Sequence, residues 1–249
     1  METLRISTRS FTYKDFAPLF KSNVRVSLTK DSLNNIERSH KRLLAKIESG
    51  ETIYGVNTGF GNLSQIRIDP KDQKQLQLNL VRSHASGVGN PLEPGLVRSI
   101  LILKLLTYTK GYSGIRPVVV EKIVQFLNKD ILPVIPEKGS VGASGDLAPL
   151  GHMALALIGE GSVFYQGKKM MTKTALSIAR VKPLVLKQKE GLSLINGTQV
   201  STAIGIKGLL EGDNLLKTAD IAGALSVENS FASRKVFRKD IHETKISSV

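Results

Sequence analysis

No cysteine and no tryptophan occur in the 249 residues. Without cysteine the chain has no disulfides and no thiolate metal sites. It suits a reducing compartment, and the cytoplasm is the expected location. Aromatic residues make up only 5% of the chain, so core volume has to come from Leu, Ile, Val and Ala. No apolar run approaches the ~18 residues of a membrane span. The opening METLRISTRSFTYKDF has no apolar centre. Neither membrane association nor a secretory signal is therefore expected. Internal repeats and low-complexity linkers are lacking as well.

What is present is an ordinary globular composition. At 41% hydrophobic, 249 residues can bury a sizeable core in one domain or two. The net charge is +14, which raises the question of nucleic acid. The 35 Lys and Arg are scattered, however, and the densest cluster, Arg234-Lys235-Val236-Phe237-Arg238-Lys239, is short. A solvated basic surface accounts for the charge, and no nucleic-acid partner is expected.

Patterning predicts a mainly α fold. Residues 1–28 read as mixed short elements. Over 29–49, Leu33, Ile36, Leu43, Leu44 and Ile47 fall near helical spacing, with Asp31 or Ser32 as N-cap and Gly50 as the end. Residues 51–69 carry three glycines and no helical period, so they read as a long loop of the functional kind. From Asp69-Pro70 a helix is expected, with Leu76, Leu80 and His84 on one face. Helices follow over 95–110 and 116–129, while the prolines of 131–136 exclude helix there. A helix over 146–159 has Asp146 as N-cap, and 163–170 reads as a small hairpin. From Thr198 to about Ser226 the chain is rich in Ala, Gly, Leu and Ile with few charges. That predicts a long, largely buried helix. The expected organisation is an N-terminal mixed α domain over 1–197, with a small β-hairpin, leading into the start of a long central helical bundle over 198–249.

The stretch GSVGASGDLAPLGHMALALIGEG, 139–161, passes from tiny residues straight into a helix. As a phosphate cradle it lacks the Lys-Ser or Lys-Thr that follows such glycines, so no nucleotide is expected. As a nucleophile elbow it lacks a glycine two residues before Ser144. Alone, it reads as a Gly-rich turn. None of His40, His84, His152 and His242 forms a zinc-binding pair, so no metal is expected. His84, beside Ser83 on an apolar helical face, reads as a core histidine; it or His152 could partner a serine, but no spacing compels that. Tyr54, in YGVNTGFG at 54–61, is either a core tyrosine or a phenol held beside backbone amides for acid–base work. Asn196 reads as a residue that caps or precedes the long helix.

Taken together and in order, these segments say more. YGVNTGFG at 54–61, RSHASGVG at 82–89, GSVGASGDLAPL at 139–150 and EGLSLINGTQ at 190–199 resemble the aromatic amino acid ammonia-lyases, most closely the histidine ammonia-lyases. The resemblance runs from about residue 25 to about 245. It implies that Ala143, Ser144 and Gly145 condense with themselves into a methylidene-imidazolone electrophile. It further implies that Tyr54 is the base or proton carrier and that Asn196 binds near the electrophile and the substrate amine or carboxylate. His84 and Ser83 would contact the substrate side chain, with Asp146, Gly61 and Gln199 in support. The Ser83-His84 pair and DLAPLGHMALALIGEG imply L-histidine as substrate and trans-urocanate as product. Tyrosine or phenylalanine ammonia-lyases and aminomutases are the alternative.

Members of the family run to about twice this length and work as homotetramers. The resemblance therefore covers their N-terminal half. Their other half carries a second tyrosine, an arginine for the substrate carboxylate and a glutamate. The expectation is a chain that makes the electrophile but turns over no substrate by itself, and that completes its site with further subunits or a complementary C-terminal chain. The remaining reading is a truncated remnant or split-enzyme subunit serving as an interaction module.

Overall fold

The computed structural model describes residues 3–61, 64–69, 71–142 and 144–244. Helix takes 55% of the chain and strand 13%, so the fold is mainly α, as the patterning predicts. Two compact units are present, Met1–Ile206 and Lys207–Val249.

The first unit opens with β1 (Thr3–Ile6) and β2 (Arg25–Leu28), paired in parallel from Thr3 opposite Arg25 to Ile6 opposite Leu28. A 3-10 helix over Tyr13–Phe20 connects them. Helix α1 (Lys30–Glu48) is capped by Thr29, whose hydroxyl accepts from the Ser32 amide, not by Asp31 or Ser32. Ser32 is instead buried, and its hydroxyl donates to the Ile6 carbonyl, tying α1 to β1.

The core is built round α3 (Pro94–Thr109), where eleven of sixteen residues are buried. A helix apolar on all sides has to sit inside the fold. Here α3 packs against α1, the first 3-10 helix and α4 (Pro117–Asn128). Asn128, at the end of α4, acts as an extra strand for β2: its side chain accepts from the Val26 amide and donates to the Val26 carbonyl. The prolines of 131–136 bound two short strands, β4 (Ile131–Pro133) and β5 (Pro136–Lys138). β5 pairs antiparallel with β3 (Val88–Pro91). β4 joins the hairpin β6 (Ser162–Tyr165) and β7 (Lys168–Met171) in an antiparallel sheet of order β4-β6-β7. Gln166 and Gly167, both at positive φ, make its turn.

Helices α2 (Gln73–His84), α5 (Leu147–Leu157) and α7 (Glu190–Ile195) pack on one another, while α6 (Thr172–Ile178) lies against β6 and β7. Gly151 of α5 sits so close beneath the end of α2 that a Cβ there would lie 2.9 Å from the His84 carbonyl carbon. The buried face of α2 differs from the expected Leu76-Leu80-His84 line. It is Gln73, Gln77, Leu80 and Val81, with two glutamines turned inward.

Helix α8 (Gln199–Asn229) is as long as expected but is not largely buried. Its buried residues are Gln199, Val200, Ala203 and Ile206, all in its first turns. In the second unit, Leu209, Leu215, Leu216, Ile221 and Leu225 of this helix are exposed. A 3-10 turn over Arg234–Phe237 and α9 (Lys239–Glu243) complete that unit among the described residues. No helix among them is long and apolar enough to cross a membrane.

Candidate active site

The packing of α2, α5 and α7 brings three sequence-distant segments to one place. Ser83 and His84 end α2, Ser144 to Asp146 lead into α5, and Asn196 and Gly197 leave α7. Ala143 lies outside the described residues. Ser144 is exposed, whereas Gly145 and Asp146 are buried.

Gly145 and Gly197 pair as an isolated parallel bridge, and the Asp146 amide donates to the Gly197 carbonyl at 2.7 Å. Gly145 holds φ +109°, and a Cβ on it would lie 2.5 Å from the Gly197 oxygen. Both the conformation and the approach demand glycine. The bareness of the stretch at 145 is thus a packing requirement imposed by a segment fifty residues away.

Asp146 precedes α5, as expected of an N-cap, but its side chain caps a different helix. Its carboxylate accepts from the Ser140 hydroxyl at 2.7 Å, the Ser201 amide at 2.8 Å and the Ser201 hydroxyl at 2.6 Å. The amides of α8's first turn, which have no partner within the helix, are therefore met by a residue from the α5 loop. Burial pushes the Asp146 pKa up. Hydrogen bonds from the Ser201 and Ser140 hydroxyls and from the Ser201 and Val200 amides outweigh that and hold it below its ordinary 3.8. The positive N-terminal ends of α5 and α8 converge on this carboxylate.

Tyr54 stands in a loop that holds itself in shape. The Asn57 side chain accepts from the Ile53 amide and donates to the Glu51 carbonyl, and the Thr58 hydroxyl accepts from the Gly55 amide. These are backbone surrogates of the kind Asn and Thr supply in turns. The Tyr54 ring meets Phe60 edge-on at 6.0 Å, and its oxygen accepts from the Gly61 amide at 3.3 Å. Tyr54 remains 54% exposed, which leaves the residue open to a ligand.

His84 is half-buried, with Nδ1 2.8 Å from the Leu80 carbonyl and 3.2 Å from the Ser83 hydroxyl. A carbonyl only accepts, so Nδ1 carries a proton, and in the neutral ring Nε2 presents a lone pair. His152 has a structural role: its Nε2 accepts from the Gly87 amide at 3.0 Å, and burial lowers its pKa. Asn196 is exposed and its carbonyl points inward. Among the described residues, no hydrogen bond joins Tyr54 or His84 to Ser144 or Gly145.

The family profile for aromatic amino acid lyases matches residues 11–248. This chain belongs to the aromatic amino acid lyase family. Among curated relatives it is 50% identical over 220 residues to the histidine ammonia-lyase of Geobacillus thermodenitrificans (strain NG80-2), covering 88% of this chain and 44% of that protein. Among solved structures it overlays the histidine ammonia-lyase of Trypanosoma cruzi with a TM-score of 0.89 at 33% identity, covering 100% of this chain and 48% of that one. It overlays the phenylalanine aminomutase of Pantoea agglomerans with a TM-score of 0.91 at 30% identity, covering 98% and 47%. The chain thus spans about half the length of the relatives it matches.

In this member of the aromatic amino acid lyase family two buried polar residues escaped the sequence reading. Gln77 donates to the Gly55 carbonyl at 3.1 Å and accepts from the Leu192 amide at 3.0 Å, joining the Tyr54 loop to α7. Polar residues on an apolar face were its only signal. Lys104, on α3, donates to the Asn196 carbonyl at 2.7 Å. Its signal was a single cation inside the run ILILKLL. Replacing Gln77 by Leu leaves the Gly55 carbonyl and the Leu192 amide without partners. The expected loss is about 2–3 kcal/mol, read as a lower denaturant midpoint with unchanged slope.

Proposed function

We propose that this chain builds a methylidene-imidazolone electrophile from Ala143, Ser144 and Gly145, and that it serves the elimination of ammonia from L-histidine to give trans-urocanate. The observation that carries the reading is the Gly145–Gly197 pairing, in a member of a family whose chemistry rests on such a group. It seats the glycine nitrogen of the tripeptide in a rigid, buried backbone and leaves Ser144 exposed. The residues present fit the group: position 145 has no room for a side chain, and two helix N-termini converge on the adjoining Asp146.

Ring closure balances with two waters lost. The Gly145 nitrogen bonds to the Ala143 carbonyl carbon, whose oxygen leaves as water with the protons of the Gly145 and Ser144 amides. The Ser144 hydroxyl then leaves with its α-proton, giving an exocyclic methylene. Once formed, the group supplies an electrophile that loads the substrate covalently and eases the loss of ammonia.

The chain's own residues do the rest. Tyr54, fixed by the Gly61 amide and open to a ligand, moves the β-proton. The Nε2 lone pair of His84 accepts an N–H of the substrate imidazole, and Ser83 holds the His84 ring. The exposed Asn196 side chain binds the substrate amine or carboxylate. The N-termini of α5 and α8 stabilise negative charge developing beside Ser144. The site is shared with other subunits in a homotetramer. The His84–Ser83 pair is what favours an imidazole substrate over the phenyl ring named for the Pantoea aminomutase.

The test is the intact mass of the folded chain, which should fall short of the encoded mass by two waters. Ser144→Ala should abolish the deficit. An unshifted mass in well-folded protein would sink the reading. With the site completed by its other subunits, L-histidine should yield urocanate. Preferential release of cinnamate or coumarate would move the substrate to phenylalanine or tyrosine.

A further inference from the structure

Lys104 is among the largest side chains with no exposure at all. Lysine is almost never fully buried unless its ammonium is held. Burial drives its pKa down to about 7, against the pull of the Asp146 carboxylate. Packing does not call for a cation here, since methionine fills a similar volume without the desolvation cost.

The partners of the ammonium share one feature. Nζ donates to the Asn196 carbonyl at 2.7 Å and lies 3.4 Å from the Gln199 side-chain oxygen. It also sits over the Tyr108 ring at 5.6 Å. Gln199 in turn donates to the Thr107 hydroxyl and lies beneath Gly197, where a Cβ would collide with it. Between the two held points runs Gly197, whose carbonyl accepts from the Asp146 amide and whose backbone pairs with Gly145. The lysine therefore grips both ends of the short segment against which Gly145 is pressed.

We propose that Lys104 is a positioning residue, whose buried ammonium clamps Asn196–Gln199 against Gly145 and Asp146 and so fixes the backbone in which the tripeptide closes. The closure rests on the function proposed above; the clamp does not. The charged group acting on the ammonium is Asp146 ahead of α5; the Tyr108 phenol on α3, which the ammonium overlies, is kept neutral by burial and by Glu190 at the start of α7. α8 presents only the neutral Gln199. A neutral amine still donates, but without the charge that roughly doubles the strength of such a bond. The clamp should slacken as pH rises through about 7, while Asp146 stays ionised.

The experiment uses the full chain as wild type, Lys104→Met and Lys104→Gln. Amide exchange at Asp146, which reports its bond to Gly197, is followed alongside the growth of the two-water mass deficit after refolding. In Lys104→Met the Asp146 amide should exchange about tenfold faster, the factor one lost charge-assisted bond is worth, with core amides such as Ile123 unchanged. The deficit should form about tenfold more slowly, and Lys104→Gln should fall between. In the wild type, Asp146 protection corrected for intrinsic exchange should decline from about pH 6 to about pH 8, and both variants should lose that dependence. Equal protection in wild type and Lys104→Met, or a flat wild-type profile, overturns the clamp. If Lys104→Met does not fold, the wild-type profile and Lys104→Gln decide. No deficit in the wild type would refute the proposed function, and Asp146 exchange would still decide the clamp.

Discussion

Gly145→Ala should destroy the two-water deficit and cost the fold about 2–5 kcal/mol, combining overpacking against fixed backbone with a strained φ. The added methyl would lie 2.5 Å from the Gly197 oxygen, 2.9 Å from its carbonyl carbon and 3.0 Å from its nitrogen. All three are backbone atoms, so no side chain can swing aside. Gly197 is itself held by Lys104 through Asn196 and by the Asp146 amide. The paired control is Gly142→Ala. Gly142 also has positive φ, +66°, but a Cβ there meets nothing within 4 Å. That change should cost about 1 kcal/mol, the conformational share alone, and leave the deficit intact. Denaturant midpoints and intact masses of both variants separate contact from conformation. A Gly145→Ala protein of wild-type stability with a full deficit would mean that the Gly197 approach does not constrain the tripeptide.

Most helices were legible because their causes are local. Periodic apolar residues, Pro94 and Pro117 at helix starts and the Gln166-Gly167 turn act over a few residues, and α3, α4 and the β6–β7 hairpin stand where the patterning puts them. The misses have non-local causes. The inward face of α2 is set by Gln73 and Gln77, which are buried because loop 51–69 and α7 offer them backbone partners. Periodicity counts apolar residues and has no way to anticipate such partners. The apolar surround of α8 states what the helix is able to bury, but not which surface covers it.

The site divides in the same way. Its bare tripeptide, Tyr54, Ser83, His84 and Asn196 were picked out as residue types in recognisable order. The structure adds what holds them. Asp146 reads as the cap of its own helix, yet its oxygens serve Ser201 on α8. Lys104 drew no reading within its apolar helix, yet it reaches the backbone that Gly145 leans on. Both are supports acting across more than fifty residues of sequence, a distance at which local pattern carries no information.

Asp146→Ala should be the most damaging single change at the site, at about 3–5 kcal/mol. The carboxylate is fully buried, and its removal leaves the Ser201 amide and two hydroxyls facing a void. It also removes the charge that favours the protonated form of Lys104. Asp146→Asn separates these effects. The amide keeps the shape and one acceptor oxygen for the Ser201 amide but turns an NH2 group toward the Ser140 and Ser201 hydroxyls, so both hydroxyls must reverse and the loss should be smaller, about 1–2 kcal/mol. The acid limb gives the cleaner signature. Because the folded state holds Asp146 below its ordinary 3.8, the unfolded chain takes up the proton first. The stabilisation is complete above that value and drains away as pH falls below it. Asp146→Asn should lose this acid-dependent component. Without the carboxylate Lys104 should also deprotonate at lower pH, so the decline in Gly197 clamping expected near pH 7 in the wild type should move toward acid. Denaturation from about pH 2 to about pH 6 tests the first shift, and exchange at residue 146 across neutral pH tests the second. If both profiles match the wild type, Asp146 acts at this site by shape alone, and its charge is incidental to Lys104.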